Sequence, residues 1–349
     1  MAKAKQKAPP PSQRREQQRQ QRQQRVNANQ KSQTQSRNRR KVQSRSNRTS
    51  WFLIGGVLVL VTVIVVAFIV ISHQPTATVT APTPASSSVL KDVTQVDPSV
   101  LNTVGTGGVT SPLQAIKNPP PSLTGPTGKP EFLYMGAEYC PYCAAERWAE
   151  VVALSRFGTF SHLNETTSSS SDIYPSTPTF TFYQSKYTSS YIDFVPVEMQ
   201  GNVADSSGNY PTLQTPTSAE QNLLNTYDAP PYIDSSSAGS IPFIDIANKY
   251  VQIGLAQGYS AQDLSGLQWQ DIASDLSSAN SPVAQHIIGS ANYLTAAICI
   301  VTNQLPASAC DSSTIHQIEL KIASTAFNAG GTQVAAATGN PVADVRRQS

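Results

Sequence analysis

Residues 51–71 (WFLIGGVLVLVTVIVVAFIVI) form a run of 21 without a single charge, and this run constrains the chain more than any other feature. At about 1.5 Å per residue, a helix of that length covers roughly 31 Å, the depth of a bilayer's hydrocarbon core. Apolarity on every face excludes an amphipathic surface helix. A buried core helix and a cleaved signal peptide are the competing readings. A 50-residue leader and the lack of a small-x-small cleavage site after the run argue against the second. The sequence therefore predicts one retained transmembrane helix.

Charge sets its direction. Residues 1–50 carry 15 Lys/Arg against one acid, Glu16, while the remaining 299 carry 10 Lys/Arg against 21 acids. The net charge of +3 thus averages a strongly basic tail and an acidic remainder. Trp51 sits at the tail-proximal edge, and the first basic residue beyond the run is Lys91. The positive-inside rule puts the N-terminus in the cytoplasm and the C-terminal part outside the cytoplasmic membrane. Rich in Gln, Arg, Lys and Ser, the 1–50 tail lacks apolar surface to bury and reads as disordered. Its partners are anionic lipid headgroups. No aromatic residue interleaves with its charges to stack on bases, so no nucleic acid is expected.

Residues 72–129 are rich in Pro, Ser, Thr and Gly and read as a tether that lifts the outer domain off the bilayer. Short apolar patches at Val89-Leu90, Val100-Leu101 and 113–116 are placed to dock on that domain. The domain itself is assigned to 130–328, and 329–349 to a loose, small and polar tail. Within the domain, 131–135 (EFLYM) has strand length. Cys140-Pro141-Tyr142-Cys143 follows, and then an apolar pattern of helical spacing through Trp148, Val152 and Phe157. Residues 179–183 and 192–198 read as strands, and 211–227 as a helix with Thr217 and Glu220 as a capping box. Residues 239–246 and 250–253 form a hairpin with Pro242 at its head. Three helices are expected after it, through Leu264 to Leu276, from Ser281 to Ile298, and through Ile315 to Ile322.

A strand, then CxxC, then a helix is what a dithiol redox site needs. A helix N-terminus favours the thiolate of Cys140, and Cys143 lies one turn on, in reach of a disulfide. CxxC is also compatible with an inert staple or with half of a zinc site. Zinc needs four ligands, and neither the other two cysteines, Cys299 and Cys310, nor the four histidines are spaced to complete a set. No cofactor is implied. Outside the cytoplasm, Cys299 and Cys310 are expected to form a structural disulfide, with a second redox pair as the alternative. Glu138, Glu146 and Arg147 read as solvated charges flanking the dithiol. In the sharper reading, one of the acids helps deprotonate Cys143.

Ala137-Glu138-Tyr139-Cys140-Pro141-Tyr142-Cys143 resembles the thioredoxin active-site turn, and its Pro-Tyr dipeptide resembles the glutaredoxin version. Ile241-Pro242-Phe243 looks like the cis-proline loop of that superfamily. Over roughly 90–330 the chain is also similar to an uncharacterised domain-of-unknown-function family of thioredoxin-like membrane proteins. The resemblance implies an α/β, thioredoxin-like fold with an insertion near 160–236 and extra C-terminal helices. It implies Cys140 as attacking thiolate, Cys143 as resolving thiol and Pro242 as the lining of a substrate groove. One departure stands out: the buried acid that thioredoxins place six residues before the first cysteine is Tyr134 here. The functional expectation is a membrane-tethered thiol–disulfide oxidoreductase whose partners are exported cysteine-containing proteins and a redox partner not identified by sequence. A non-catalytic binding or scaffold module of the cell envelope is the alternative.

Overall fold

The structure, a computed structural model, describes residues 82–329, with side chains to 323. The basic tail, the apolar run at 51–71, the first part of the tether and the residues after 329 lie outside the described residues.

Element order runs β1 (Thr83–Pro84), α1 (Ser87–Thr94), α2 (Pro98–Val104), β2 (Leu113–Ala115), β3 (Glu131–Gly136), α3 (Pro141–Leu154) and β4 (Gly158–Ser161). Next come β5 (Asn164–Thr167), β6 (Pro178–Thr181), β7 (Lys186–Ser189), β8 (Asp193–Glu198) and α4 (Ser218–Tyr227). The chain continues through β9 (Phe243–Ile246), β10 (Tyr250–Ile253), α5 (Trp269–Asp275), α6 (Pro282–Val301), α7 (Ala307–Cys310) and α8 (Ser313–Ala329). The class is mixed α/β. A five-stranded sheet of order β2-β10-β9-β3-β8 forms its centre, beside a three-stranded sheet β1-β5-β6 and the two-stranded β4-β7.

β3 is the central sheet's pivot. It pairs in parallel with β8, from Glu131 opposite Asp193 to Gly136 opposite Glu198, and antiparallel with β9. All six of its residues are buried, as expected for a strand covered on both faces. Alternation sends Phe132 and Tyr134 into the larger core with Trp148 and the α6 residues Ile287, Ile288 and Leu294. Leu133 and Met135 face the other way, into a smaller core with Val197, Phe243, Val251 and the α4 residues Leu224 and Tyr227.

Most of the tether expectation is corrected. From residue 83 the segment folds onto the domain, its three apolar patches docking as expected, with Val89, Val93, Leu101, Val109, Leu113 and Ile116 buried. Two short helices hide in the Pro/Ser/Thr-rich composition. Ser86 Oγ caps α1 by accepting from Val89 N–H, and the Asp97 carboxylate caps α2, which has Pro98 in its first turn. Val89 and Val93, four apart, share one buried helix face. Asn292 of α6 then donates to the carbonyls of Leu101 and Gly105, at 2.9 and 2.8 Å. The 211–227 helix starts later than expected, at Ser218, behind the capping box of Thr217 and Glu220. The helix expected through Leu264 to Leu276 breaks at Gly266, where φ is +78°, leaving a 3-10 turn at Ala261–Leu264 and α5.

α6 begins at Ser281, whose Oγ accepts from Ala284 N–H, with Pro282 in the first turn. Among the described residues it is the one helix long and apolar enough to cross a membrane. With 83% of its apolar window buried inside the domain, it is a core helix by its packing. At Gly289 a Cβ would lie 2.3 Å from the Thr106 carbonyl oxygen, so only glycine admits the loop after α2 this close. Cys299, near the end of α6, is bonded to Cys310 of α7 at 2.02 Å. Closing so short a loop contributes roughly 2–3 kcal/mol in the chain-entropy model. Arg156 reinforces the corner by donating to the Ala309 carbonyl at 2.8 Å and to Asn292 at 3.1 Å.

Candidate dithiol site

β3 ends at Gly136, the chain turns through Ala137, Glu138 and Tyr139, and α3 starts at Pro141 with Cys140 as its N-cap. The Cys140 sulfur occupies the capping position: Cys143 N–H donates to it at 3.3 Å. Pro141 suits the first turn because its missing N–H would have no intrahelical partner there. The two thiols divide their roles by environment. The Cys143 S–H donates to the Cys140 sulfur and, with the Cys143 backbone N–H and the Arg147 guanidinium, holds the Cys140 thiol below its ordinary range despite burial. Burial pushes Cys143 well above that range, and donating its proton to Cys140 pushes it further. Thiolate on Cys140 and proton on Cys143 is the favoured arrangement.

The structure brings Pro242, just ahead of β9, to the same place. The Ile241–Pro242 peptide is cis, and the Ile241 carbonyl oxygen lies 3.8 Å from the Cys140 sulfur. Both cysteines are reduced in the structure, and both are buried, Cys140 at 5% exposure and Cys143 at 0%. Tyr142 is 40% exposed at the surface of the motif, edge-on to Tyr174, and Tyr139 stacks on Tyr210 with centroids 4.4 Å apart.

The charges that read as solvated are interior, which corrects the sequence expectation. Glu138, Glu146 and Arg147 are buried, together with Glu150 and Glu198. Every α3 residue except Tyr142 is buried, because α3 packs against α6, β6, α1 and the Ala261–Leu264 turn, with Trp148 in one core with Phe132 and Tyr134 of β3 and Arg147 reaching Glu198 of β8, so this helix has no polar face turned to water. Arg147 and Glu198 form a bidentate pair with two N–H···O contacts of 2.7 Å, and Arg147 also donates to the Ala137 carbonyl at 2.9 Å. Arg147 lies 5.7 Å from the centroid of the Tyr134 ring. Burial raises Glu146 to about 8. Burial first, and Glu146 second, hold Glu150 well above the carboxylate range. Burial also raises Glu138, whose hydrogen bond with Thr181 opposes the shift. At neutral pH the interior beneath the dithiol therefore holds one ion pair and, in Glu146, a neighbouring acid that favours the neutral form. Glu198 and Glu150 escaped the sequence reading. The available signals were an acid closing an apolar strand and an acid one turn beyond Glu146 in an otherwise apolar helix.

Residues 119–300 match the family of a domain of unknown function, DUF929. The chain belongs to the DUF929 family. The DUF929 match contains Cys140, Cys143, Arg147, Glu198 and Pro242, and it ends between Cys299 and Cys310. No curated protein and no solved structure matches the chain. Among the described residues, no group of three or more His, Cys, Asp or Glu is arranged to hold a metal ion.

Proposed function

We propose that this DUF929 protein is a membrane-tethered, extracytoplasmic thiol–disulfide oxidoreductase that acts on exported cysteine-containing proteins through Cys140 and Cys143. The observation that carries the reading is the asymmetric dithiol. One sulfur caps a helix and is biased to thiolate, the other is biased to hold its proton, and the Ile241–Pro242 loop lies against the first. The pairing around β3 supports it. The strand leading to CxxC has a parallel neighbour on one side and the antiparallel hairpin headed by Pro242 on the other. The apolar run at 51–71 and the basic tail before it supply the tether and its orientation.

In the reaction, the Cys140 thiolate attacks a substrate disulfide, forming a mixed disulfide and releasing one substrate thiolate. Cys143 gives up its proton and attacks the Cys140 sulfur, forming the Cys140–Cys143 disulfide. The second substrate thiolate leaves, and the two leaving thiolates are protonated. In reverse, the Cys140–Cys143 disulfide oxidises a substrate dithiol. A redox partner of the outer membrane face resets the couple in either direction.

Burial of both sulfurs favours a second reading, a binding or scaffold module in which the pair is a staple. Trapping separates the two. With Cys143 replaced by Ala, the mixed disulfide cannot resolve. The full chain in its own membrane should then accumulate adducts that run as reducible high-mass bands and vanish when Cys140 is also replaced. If the Cys143→Ala chain forms no adduct, the oxidoreductase reading fails and the scaffold reading stands.

A further inference from the structure

We propose that Tyr134 is the positioning residue for the resolving step: its hydroxyl donates to the Cys143 sulfur as that sulfur becomes a thiolate. The inference rests on the oxidoreductase reading and deepens it. The resolving cysteine has a difficulty that the attacking one does not. Cys143 is fully buried, so water cannot solvate the charge it must carry to attack Cys140. The structure places an unused neutral donor beside Cys143. Tyr134 is fully buried, and its hydroxyl has no hydrogen-bond partner in the reduced state. A buried hydroxyl without a partner is unusual and calls for a reason.

Gly136 shows where that hydroxyl is aimed. A Cβ at this position would sit 2.1 Å from the Tyr134 oxygen and 3.1 Å from the Cys143 sulfur. Phenol and thiol thus converge on one point, and the glycine keeps the space between them open. Neighbouring strand residues of like direction, 134 and 136, bring this about, because both project to the α3 side of β3. Other groups facing Cys143 are Cys140 and Arg147 from the α3 end, the Ala137 backbone N–H, and Tyr139 from the turn. Tyr134 in turn faces Arg147, Cys143, Glu198 and Glu150. Arg147 is committed through Nε and Nη2 to Glu198 and to the Ala137 carbonyl, while its Nη1 is buried without a partner. Burial holds the phenol well above its ordinary range, so it keeps its proton and acts as a donor, never as a base. Cys143 releases its proton to solvent before it attacks, and a departing substrate thiolate takes up a proton from solvent in turn.

An aromatic disulfide, 5,5′-dithiobis(2-nitrobenzoate), resolves the steps on the reduced full chain in detergent. Attack by Cys140 releases a first nitrothiobenzoate and leaves a mixed disulfide. Attack by Cys143 on Cys140 releases a second and closes the protein disulfide, with one proton passing to solvent. A hydrogen bond to a charged group shifts an ionisation by about one to two units. A less acidic thiol is also a better nucleophile, which returns about half of that effect. Tyr134→Phe should therefore slow the second release about three- to fifteenfold at neutral pH and move its pH midpoint up by about one to two units. The first release and the thermal transition should stay unchanged. A second release with unaltered rate and midpoint in Tyr134→Phe overturns the inference, as does equal slowing of both releases, which marks a merely structural role. Absence of the first release from the unaltered chain overturns the oxidoreductase reading, and this inference with it.

Discussion

Glu198→Gln should cost the domain about 3–5 kcal/mol, the loss expected when one partner of a fully buried ion pair is removed. Both side chains of the Arg147–Glu198 pair are wholly inaccessible, so the substitution leaves the guanidinium charged and uncompensated in the core. It also weakens the acceptor for the Phe182 N–H, which lies 3.3 Å from the same carboxylate. Against a typical domain stability of about 5–15 kcal/mol, this brings the fold near its threshold. The pair itself is not required to be worth that much, because both charges also lose their hydration. Arg147→Met combined with Glu198→Leu should therefore recover most of the loss. Urea unfolding followed by circular dichroism measures both variants. A cost below about 1 kcal/mol for Glu198→Gln would place the pair in water and contradict the buried network. The recovered double variant would still lack the donor to the Ala137 carbonyl, three residues before Cys140.

Stability should fall as pH rises from about 5 to 8, opposite to the trend of a protein held by exposed salt bridges. Glu146 titrates near 8 in the folded chain, against 4.5 as its ordinary value, because it is buried. Glu131 and Asp245 are each raised to about 7, with burial as the first cause, and Asp228 to about 6 for the same reason. Between the unfolded and folded values, the native state holds protons that the unfolded state has lost. Stability therefore declines with pH through this window and levels off above the folded values. The expected span is on the order of a few kcal/mol for a buried group such as Glu146. Glu146→Gln removes one titration and should flatten the slope while raising stability at pH 8. Chemical denaturation midpoints at pH 5, 6.5 and 8 check this. A flat profile in the unaltered chain, or an unchanged slope in Glu146→Gln, contradicts the assignment.

The parts of the fold legible in the sequence were those with strong local signals. Alternating and continuous apolar runs marked β3, β8 and the β9–β10 hairpin, and Ser281-Pro282 marked the start of α6. The placement of the candidate site's residues was legible for the same reason. Cys-Pro-Tyr-Cys after a strand sets helix capping by local chemistry, and the pairing of β9 with β3 brings Pro242 beside it. What was illegible depended on tertiary cover. The apolar patches of 83–116 showed that this Pro/Ser/Thr-rich segment could dock, but not that two of them lie on helices, α1 and α2, which form once the domain offers a surface. Glu146, Arg147 and Glu150 carry formal charge, which locally predicts solvent. Only the packing of α3 on all sides makes them interior. The DUF929 family itself supplies no activity to correct such errors, so the chemistry must be read from these residues.

The central claim is that Cys140 and Cys143 exchange electrons with visiting polypeptides, and the reduction potential of that couple tests it most directly. The full chain in detergent is equilibrated across glutathione and dithiothreitol redox buffers, then acid-quenched, denatured and alkylated, so that burial does not limit the readout. The account predicts a reversible two-electron transition between about −270 and −120 mV, the range of dithiol oxidoreductases, with Cys299–Cys310 remaining oxidised throughout. A Cys140–Cys143 pair that stays oxidised below about −300 mV, as structural disulfides do, would contradict it, as would a pair that forms no disulfide at any potential.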